Sequence, residues 1–160
     1  MDATCRLRWT CAPLDALSPR QVYRLLQLRS AVFVVEQDCV FLEPDGQDLL
    51  PGAWQLLAQT PEEELAGCLR GLPPGCRFAE PSLGRIVTHP GWRGRGLGRE
   101  LVRRGLAEVA RRHPGRPVRL SAQSHLAAFY RSLGFEPASE EYDEDGIPHL
   151  DMVCPPPLSG

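Results

Sequence analysis

The chain has 160 residues, 42% of them hydrophobic, a length that fits one compact domain with its own core better than two. Its apolar runs, such as Ala31 to Val35, are far too short to cross a membrane, and the segment "MDATCRLRWT" lacks the apolar centre of a secretion signal. We therefore predict a soluble, cytoplasmic protein without a membrane partner, with a single domain over 1–154 and a loose proline-rich tail over 155–160.

The net charge of −2 conceals a strong segregation of charge along the chain. Residues 81–135 carry eleven arginines and two glutamates, a balance of +9, whereas 36–80 and 136–160 each come to −7. The central segment therefore favours an anionic ligand. Nucleic acid is not predicted as a partner, because aromatic residues are not interleaved with the arginines and the overall charge is negative.

The six cysteines form no C-x-x-C pair and are irregularly spaced, which indicates reduced thiols in the absence of a secretion signal. The four histidines are scattered, and no His/Cys group has the spacing of metal ligands. No metal site is predicted.

The first half of the chain shows one strand, one helix and a pair of strands. The alternation over Arg6 to Ala12 predicts an edge strand, and "SPRQ" at 18–21 is a capping box that predicts a helix, which loosens near "VFVVEQ". A polar, turn-rich segment, "DCVFLEPDGQDLLPG", follows. The segments "AWQLLAQ" and "ELAGCLRGL" are then predicted as two strands joined by a hairpin turn.

The second half alternates strands with helices. A buried strand is predicted over 83–89 and a further strand over 117–122, and the helix between them has an apolar face made of Leu97, Leu101, Gly105, Leu106 and Val109. A second helix is predicted to start at a Ser124 cap and to end at Gly134, and "FEPASEEY" and "IPHLDMV" supply two last strands. This order predicts a mixed α/β (α+β) fold in which strands 83–89 and 117–122 form a parallel pair.

The glycine-rich turn "RGRGLG" at 93–98 lies between the buried strand and its helix. Backbone N–H groups at a helix start bind anions, most often phosphate. Gly91 and Gly96 have the spacing of a P-loop, but Leu97 stands where that motif needs lysine, which excludes this type of ATP site. Arg99 replaces the third glycine of a dinucleotide fingerprint, so that alternative is disfavoured.

The segment R93-G-R-G-L-G resembles the Q/R-x-x-G-x-G/A signature of the GCN5-related N-acetyltransferase (GNAT) family. Four segments in register extend the similarity to the ElaA-like branch over nearly the whole chain: "RSAVFVVEQDCVF", "GRIVTHPGWRGRGLGREL", "AQSHLAAFYRSLGF" and "EEYDEDGIPHLDM". Val40 departs from that pattern, which has proline there. The resemblance implies a central, mostly antiparallel mixed sheet of about six to seven strands, flanked by helices and splayed at the parallel pair.

The resemblance also implies acetyl-CoA as the cosubstrate. The residues it assigns to the pyrophosphate and ribose phosphate, through backbone N–H groups and guanidinium groups, are Arg93, Gly94, Arg95, Gly96, Leu97, Gly98 and Arg99. Ile86 and Val87 are expected to hydrogen-bond the pantetheine arm along the strand edge. Gln123 and His125 flank the start of the second helix and are candidates for contacts with the CoA arm or acyl group; a solvated first-turn histidine is the alternative for His125.

Acyl transfer to an amine requires stabilisation of an oxyanion, a proton for the departing thiolate and a neutral amine. The resemblance implies Tyr130 as the general acid, and a tyrosine with a pKa near its ordinary value of ~10 would suit that role. A core tyrosine is the alternative, since Tyr130 shares an apolar stripe with Leu126 and Phe129. The backbone N–H of Val87 is the expected oxyanion donor.

Glu36 and His149 are the candidates for the general base. Each has a structural alternative, as a carboxylate paired with arginine and as a packed strand histidine. The acceptor is expected to be a primary amine of a small molecule or peptide, and a cationic one if the following residues form an acidic cleft: Glu36, Glu43, Asp45, Asp48, Asp143, Glu144 and Asp145. The enzyme is expected to be a monomer or homodimer. A non-catalytic acyl-CoA sensor remains the alternative function.

Overall fold

Eight strands form one sheet in the computed structural model, which describes residues 6–158. In chain order they are β1 Arg8–Ala12, β2 Trp54–Gln59, β3 Leu65–Leu72, β4 Ser82–Thr88, β5 Val118–Gln123, β6 Glu136–Pro137, β7 Tyr142–Glu144 and β8 Ile147–Cys154. Their order across the sheet is β1-β2-β3-β4-β5-β8-β6, with β7 also paired to β8. All pairs are antiparallel except β4 with β5, which confirms the predicted mixed sheet. The expected six to seven strands become eight because two short strands replace the one predicted over "FEPASEEY": β6 lies within that segment, and β7 starts at its last residue, Tyr142.

In the described part of the chain, three α-helices flank the sheet: α1 Pro19–Ser30, α2 Leu97–Arg112 and α3 Ala127–Arg131. The predicted capping box is present, since the Gln21 N–H donates to Ser18 Oγ at 3.1 Å and the Ser18 N–H to Gln21 Oε1 at 2.9 Å. The predicted loosening is a π-helical turn over Ala31–Glu36 that continues α1. Within residues 6–158, no helix is long and apolar enough to span a membrane.

Helix α2 packs its apolar side closely on the sheet. Gly105 permits this approach, because a Cβ there would lie 3.0 Å from Leu69 and 3.1 Å from Leu83. On the outer side, Arg104 pairs with Glu100 at 2.9 Å, as expected for residues four apart. This packing fixes the start of α2, and with it the glycine-rich turn, at the end of β4.

The predicted Ser124 cap of α3 is wrong. The chain leaves β5 in a 3-10 turn over Ser124–Leu126, and α3 begins only at Ala127, without a capping side chain. The Ser124 hydroxyl therefore lies away from the free N–H groups of α3; it is buried and finds no hydrogen-bond partner in the described chain.

The sheet opens between β4 and β5. These strands pair only at Ser82 with Arg119 and separate beyond that point. In β4, two residues, Arg85 and Ile86, oppose a single residue of β3, and Arg85 has a φ of +49°, in the left-handed region. This bulge bends β4, so the carboxyl ends of the two parallel strands enclose a gap.

The cysteines in the described part of the chain are free thiols: Cys11, Cys39, Cys68, Cys76 and Cys154. Cys5 and the last two residues of the predicted tail, 159–160, lie outside the described residues.

Candidate active site

A cavity of about 490 Å³ occupies the gap between β4 and β5. Four of the predicted site residues line it: Ile86, Gln123, Tyr130 and His149. The segment after α1 contributes Gln37, Cys39, Phe41, Leu42, Asp45 and Gln47, and the β7–β8 hairpin contributes Glu144, Asp145 and Ile147. Ligands of open α/β sheets bind at this kind of edge, outside the carboxyl ends of parallel strands.

The glycine-rich turn offers unpaired backbone donors near one end of the gap. Gly94 and Gly96 have φ values of +77° and +80°, and α2 starts at Gly96 without a capping side chain. Within residues 6–158, the N–H groups of residues 94–99 make no backbone hydrogen bond of standard geometry. Together with the positive end of the α2 dipole, these donors form a site suited to a phosphate group.

The three arginines of the turn have different partners. Arg93 binds both oxygens of Glu36, at 2.6 and 2.9 Å, and so ties the turn to the end of the π-helical turn. Arg95 stacks on the Trp92 ring at 4.9 Å, and Arg99 lies 5.7 Å from the Phe129 ring centre. Because aromatic contacts leave a guanidinium charge uncompensated, Arg95 and Arg99 remain available to an anion.

The edge of β4 that faces β5 is unpaired beyond Ser82, and Ile86 and Val87 lie on this segment. An extended ligand can pair with such an edge as an added strand would. Gln123 lies across the gap at the end of β5, where its amide donates to Gln37 Oε1 at 3.2 Å. His125 is exposed, and it does not line the cavity.

Tyr130 belongs both to the core and to the cavity wall. Its side chain is only 6% exposed and makes edge-to-face contacts with Phe129 and Phe135, with ring centres 5.1 and 5.7 Å away. Burial raises the pKa of Tyr130 to about 12, so the expectation of a nearly ordinary pKa was wrong. The phenol is therefore protonated at neutral pH and can donate a hydrogen bond.

His149 lies on β8 opposite Gln123, with its ring fixed by the backbone. Its Nδ1 is 2.7 Å from the Ile147 carbonyl oxygen, which can only accept, so Nδ1 carries the proton in the neutral ring. Nε2 is then the atom that can take up a proton, and it lies 3.4 Å from Glu144 Oε2. A positive charge formed on the ring would be stabilised by this carboxylate.

Glu144 also lines the cavity, next to His149. From the sequence it was expected only as part of an acidic cleft. It accepts hydrogen bonds from Arg77 at 2.9 Å and from Ser121 at 3.3 Å, besides its contact with His149. Its only signal in the sequence is its place in the acidic "DEDG" turn, which looks like ordinary hairpin surface.

Glu36 lies outside this cavity, with 44% of its side chain exposed. The hydrogen bonds and charge of Arg93 lower the pKa of Glu36, although the carboxylate is exposed. The structure thus shows the arginine-paired arrangement, in which the Glu36 carboxylate is a weaker base than a free one.

Six charged side chains of alternating sign, contributed by α1, the segment after it, β3 and β4, form a closed ring. Around the ring, the contacts are Arg29–Glu43 at 2.5 Å, Glu43–Arg85 at 2.9 Å, Arg85–Asp45 at 3.3 Å, Asp45–Arg70 at 2.9 Å, Arg70–Asp48 at 3.3 Å and Asp48–Arg29 at 2.8 Å. We call this set the charge ring. It fastens the loop after α1 to β3 and to the β4 bulge.

The charge ring corrects the expectation of an acidic cleft on this side. Glu43 and Asp48 are buried and paired with arginine, so they present no net charge to the cavity. Burial alone would raise the pKa of Asp48, but hydrogen bonds and charge attraction from Arg29, with the charge of Arg70, lower it to about 2. Asp45 lines the cavity, but its carboxylate is shared between Arg70 and Arg85.

Comparison with known proteins agrees with this geometry. Residues 46–155 match the family model described as an acetyltransferase (GNAT) domain. Protein ElaA of Escherichia coli is 39% identical over 92% of this chain and 95% of its own length, and protein sll0451 of Synechocystis is 35% identical over 96% and 99%.

Two solved structures share the fold closely. An acyl-CoA N-acyltransferase from Pseudomonas aeruginosa superposes with a TM-score of 0.88 at 42% identity, covering 92% of this chain and 99% of that one. The crystal structure of Escherichia coli ElaA gives 0.86 at 38% identity over the same shares. With its splayed β4–β5 pair and its glycine-rich turn at the start of α2, the chain therefore belongs to the GNAT superfamily, in the ElaA-like branch.

Proposed function

We propose that the protein transfers an acetyl group from acetyl-CoA to a primary amine, by direct attack of the amine on the thioester. Membership of the GNAT family supports acyl-CoA N-acyltransferase activity in general. One observation carries the finer proposal: the unpaired β4 edge connects the free N–H groups of residues 94–99 with a cavity lined by Tyr130 and His149.

In this proposal the CoA pyrophosphate binds the N–H groups from Gly94 to Arg99. The side chains of Arg95 and Arg99 contribute charge, and Arg93 acts mainly by holding the turn against Glu36. The pantetheine arm then pairs with the β4 edge at Ile86 and Val87, with Gln123 across the gap. This path leads the thioester toward Tyr130.

The transfer needs one proton removed from the amine and one delivered to sulfur. His149 Nε2 takes the amine proton, and Glu144 stabilises the charge that forms on the ring. Backbone N–H groups of the β4 edge beside the bulge, at Ile86 and Val87, stabilise the tetrahedral oxyanion. The products are the N-acetylated amine and CoA, which leaves as a thiolate and takes its proton from solvent water; His149 returns the amine proton to solvent.

Tyr130 is assigned to the departing sulfur. The pKa of Tyr130 is about 12 and that of a thiol is ~8.5, so a lasting transfer of the phenolic proton is unfavourable. A hydrogen bond from the phenol to the developing thiolate is favourable, because Tyr130 is buried and a charge-assisted hydrogen bond is stronger there than in open water. Tyr130 therefore lowers the barrier to C–S cleavage as a donor that always carries its proton.

The proposal is tested by measuring thiol release from acetyl-CoA with and without added primary amines. We expect release that depends on the amine and saturates with both substrates. An acyl-CoA sensor would bind acetyl-CoA and release no thiol with any amine, and that result would contradict the proposed function.

A further inference from the structure

Resting on the proposed function, we propose that the acceptor is a monoamine carried on an aromatic or branched apolar group. The cavity has two unlike walls. One is the loop after α1, residues 37–47, and the other is the β7–β8 hairpin. Each wall fits a different part of such a molecule.

The loop wall meets the cavity with the apolar side chains of Phe41 and Leu42 as well as with polar residues, Gln37, Asp45 and Gln47. In the charge ring, Glu43 and Asp48 are buried and paired with Arg29, and the Asp45 carboxylate is paired with two arginines. Phe41 and Leu42 line the cavity beside Phe33 of the π-helical turn. Since the acidic side chains are engaged elsewhere, this wall favours apolar surface over a second cation.

At the rim of the cavity the same wall leaves apolar surface in solvent, because Leu42 lines the cavity and is 77% exposed. Burial of such surface against a ligand is favourable, at about 25 cal/mol per Å² of apolar area. The apolar part of the acceptor therefore extends from Phe41 toward this rim.

The hairpin wall carries the groups that receive a single ammonium. Glu144, which also accepts a hydrogen bond from Arg77, lies 3.4 Å from His149, the proton acceptor of the proposed reaction. Asp145 lines the cavity too, and its exposed carboxylate forms no ion pair within residues 6–158. The two walls are held together directly, because the Cys39 thiol donates to the Asp145 carbonyl at 3.1 Å. An amine at the hairpin wall thus has its substituent against Phe41 and Leu42.

Other amines fit this arrangement less well. The second ammonium of a diamine would lie against Phe41 and Leu42 or near Arg85, where it loses water without gaining a free carboxylate. An arylalkyl or branched alkyl monoamine avoids this cost.

The test compares phenethylamine, ethylamine and putrescine as acceptors. We expect the KM for phenethylamine to be lower than that for either other amine by about tenfold or more, as apolar pockets discriminate on this scale. Leu42→Ala should raise the KM for phenethylamine severalfold and leave the KM values for ethylamine and acetyl-CoA unchanged. Leu49→Ala is the matched control, because Leu49 follows the loop, is 74% exposed and does not line the cavity.

Binding of the same amines to the CoA-loaded protein, measured by calorimetry, separates this inference from the proposed function. Tighter binding of phenethylamine than of ethylamine, weakened by Leu42→Ala but not by Leu49→Ala, supports the inference even without turnover. A preference for putrescine, or equal affinity for phenethylamine and ethylamine, overturns it. Loss of the proposed function would appear separately, as absence of thiol release with every amine.

Discussion

Tyr130 and His149 reach the cavity from opposite sides, one from α3 and the other from β8. Their rings are held in different ways. Tyr130 is packed between Phe129 and Phe135, whereas His149 is fixed by a hydrogen bond with the Ile147 carbonyl. At the scale of single residues, the proposed chemistry predicts a loss of turnover when either side chain is replaced.

Replacing Tyr130 with Phe removes the hydroxyl and keeps the packed ring. We expect kcat to fall by roughly 10²-fold, because the departing thiolate loses its donor, while the KM for acetyl-CoA changes little. Steady-state kinetics with a thiol reagent measures both constants. An unchanged kcat would show that Tyr130 is only a core residue.

The two candidate bases are distinguished by His149→Gln and Glu36→Gln. His149 lies in the cavity, so its loss should reduce kcat by roughly 10²-fold. Glu36 is outside the cavity and paired with Arg93, so Glu36→Gln should leave kcat within a few-fold of wild type. A large loss of kcat in Glu36→Gln with little change in His149→Gln would assign the base to Glu36.

At the scale of elements, the glycine-rich turn and the charge ring have separate tasks. The turn presents N–H groups at the start of α2, and the ring holds the loop after α1 against the sheet. Ligand affinity tests the first task, and stability at low pH tests the second.

Gly94→Ala should weaken acetyl-CoA binding specifically. A Cβ at Gly94 meets no protein atom within 4 Å and so enters the space proposed for the pyrophosphate. Gly115→Ala is a matched control, since Gly115 has the same φ of +77° and equally open surroundings. Both variants should lose similar stability, but only Gly94→Ala should raise the Kd for acetyl-CoA in calorimetry. Equal Kd values for the two variants would argue against a phosphate site at the turn.

Protonation of Asp48 should lower the free energy of unfolding in acid. Its pKa is lowered to about 2 in the folded chain from an ordinary value of 3.8, so it stabilises the fold fully above the ordinary value. This contribution, about 2 kcal/mol, is lost as the pH falls from about 5 to about 2. Urea unfolding at a series of pH values measures it.

Asp48→Asn provides the comparison for that series. The variant should be less stable near neutral pH, because Arg29 loses one of its two buried carboxylate partners, and its stability should fall less steeply in acid. If the free energy of unfolding had the same slope against pH in wild type and variant, Asp48 would not be the group that titrates.

At the scale of the whole molecule, local signals predicted the architecture well. The capping box at Ser18, the apolar face of α2 and the strand before Pro90 depend on residues close in sequence, and all three are present. The β6 and β7 strands were merged in the prediction, because segments of two and three residues have no readable alternation. The prediction of a Ser124 cap was wrong because a 3-10 turn lies between β5 and α3, and this turn depends on how those two elements pack.

The charge ring lay beyond prediction from the sequence. Its arginines are 14 to 42 residues away from the carboxylates they bind, and in sequence the loop carries the acidic, turn-rich pattern of a solvated surface. The role of Glu144 beside His149 depends likewise on the β7–β8 pairing. The sequence could indicate the glycine-rich turn and the tyrosine of the cavity. The pairing of the acidic residues in the loop wall, by contrast, depends on contacts between residues far apart in the sequence.

The most direct test of the central claim follows the acetyl group itself. The protein is incubated with acetyl-CoA carrying a deuterated acetyl group and with phenethylamine, and mass spectrometry locates the label. Direct transfer predicts deuterated N-acetylphenethylamine and free CoA in equal amounts, with no label on the protein. Label retained in acetyl-CoA, released as acetate or attached to the protein would contradict the claim.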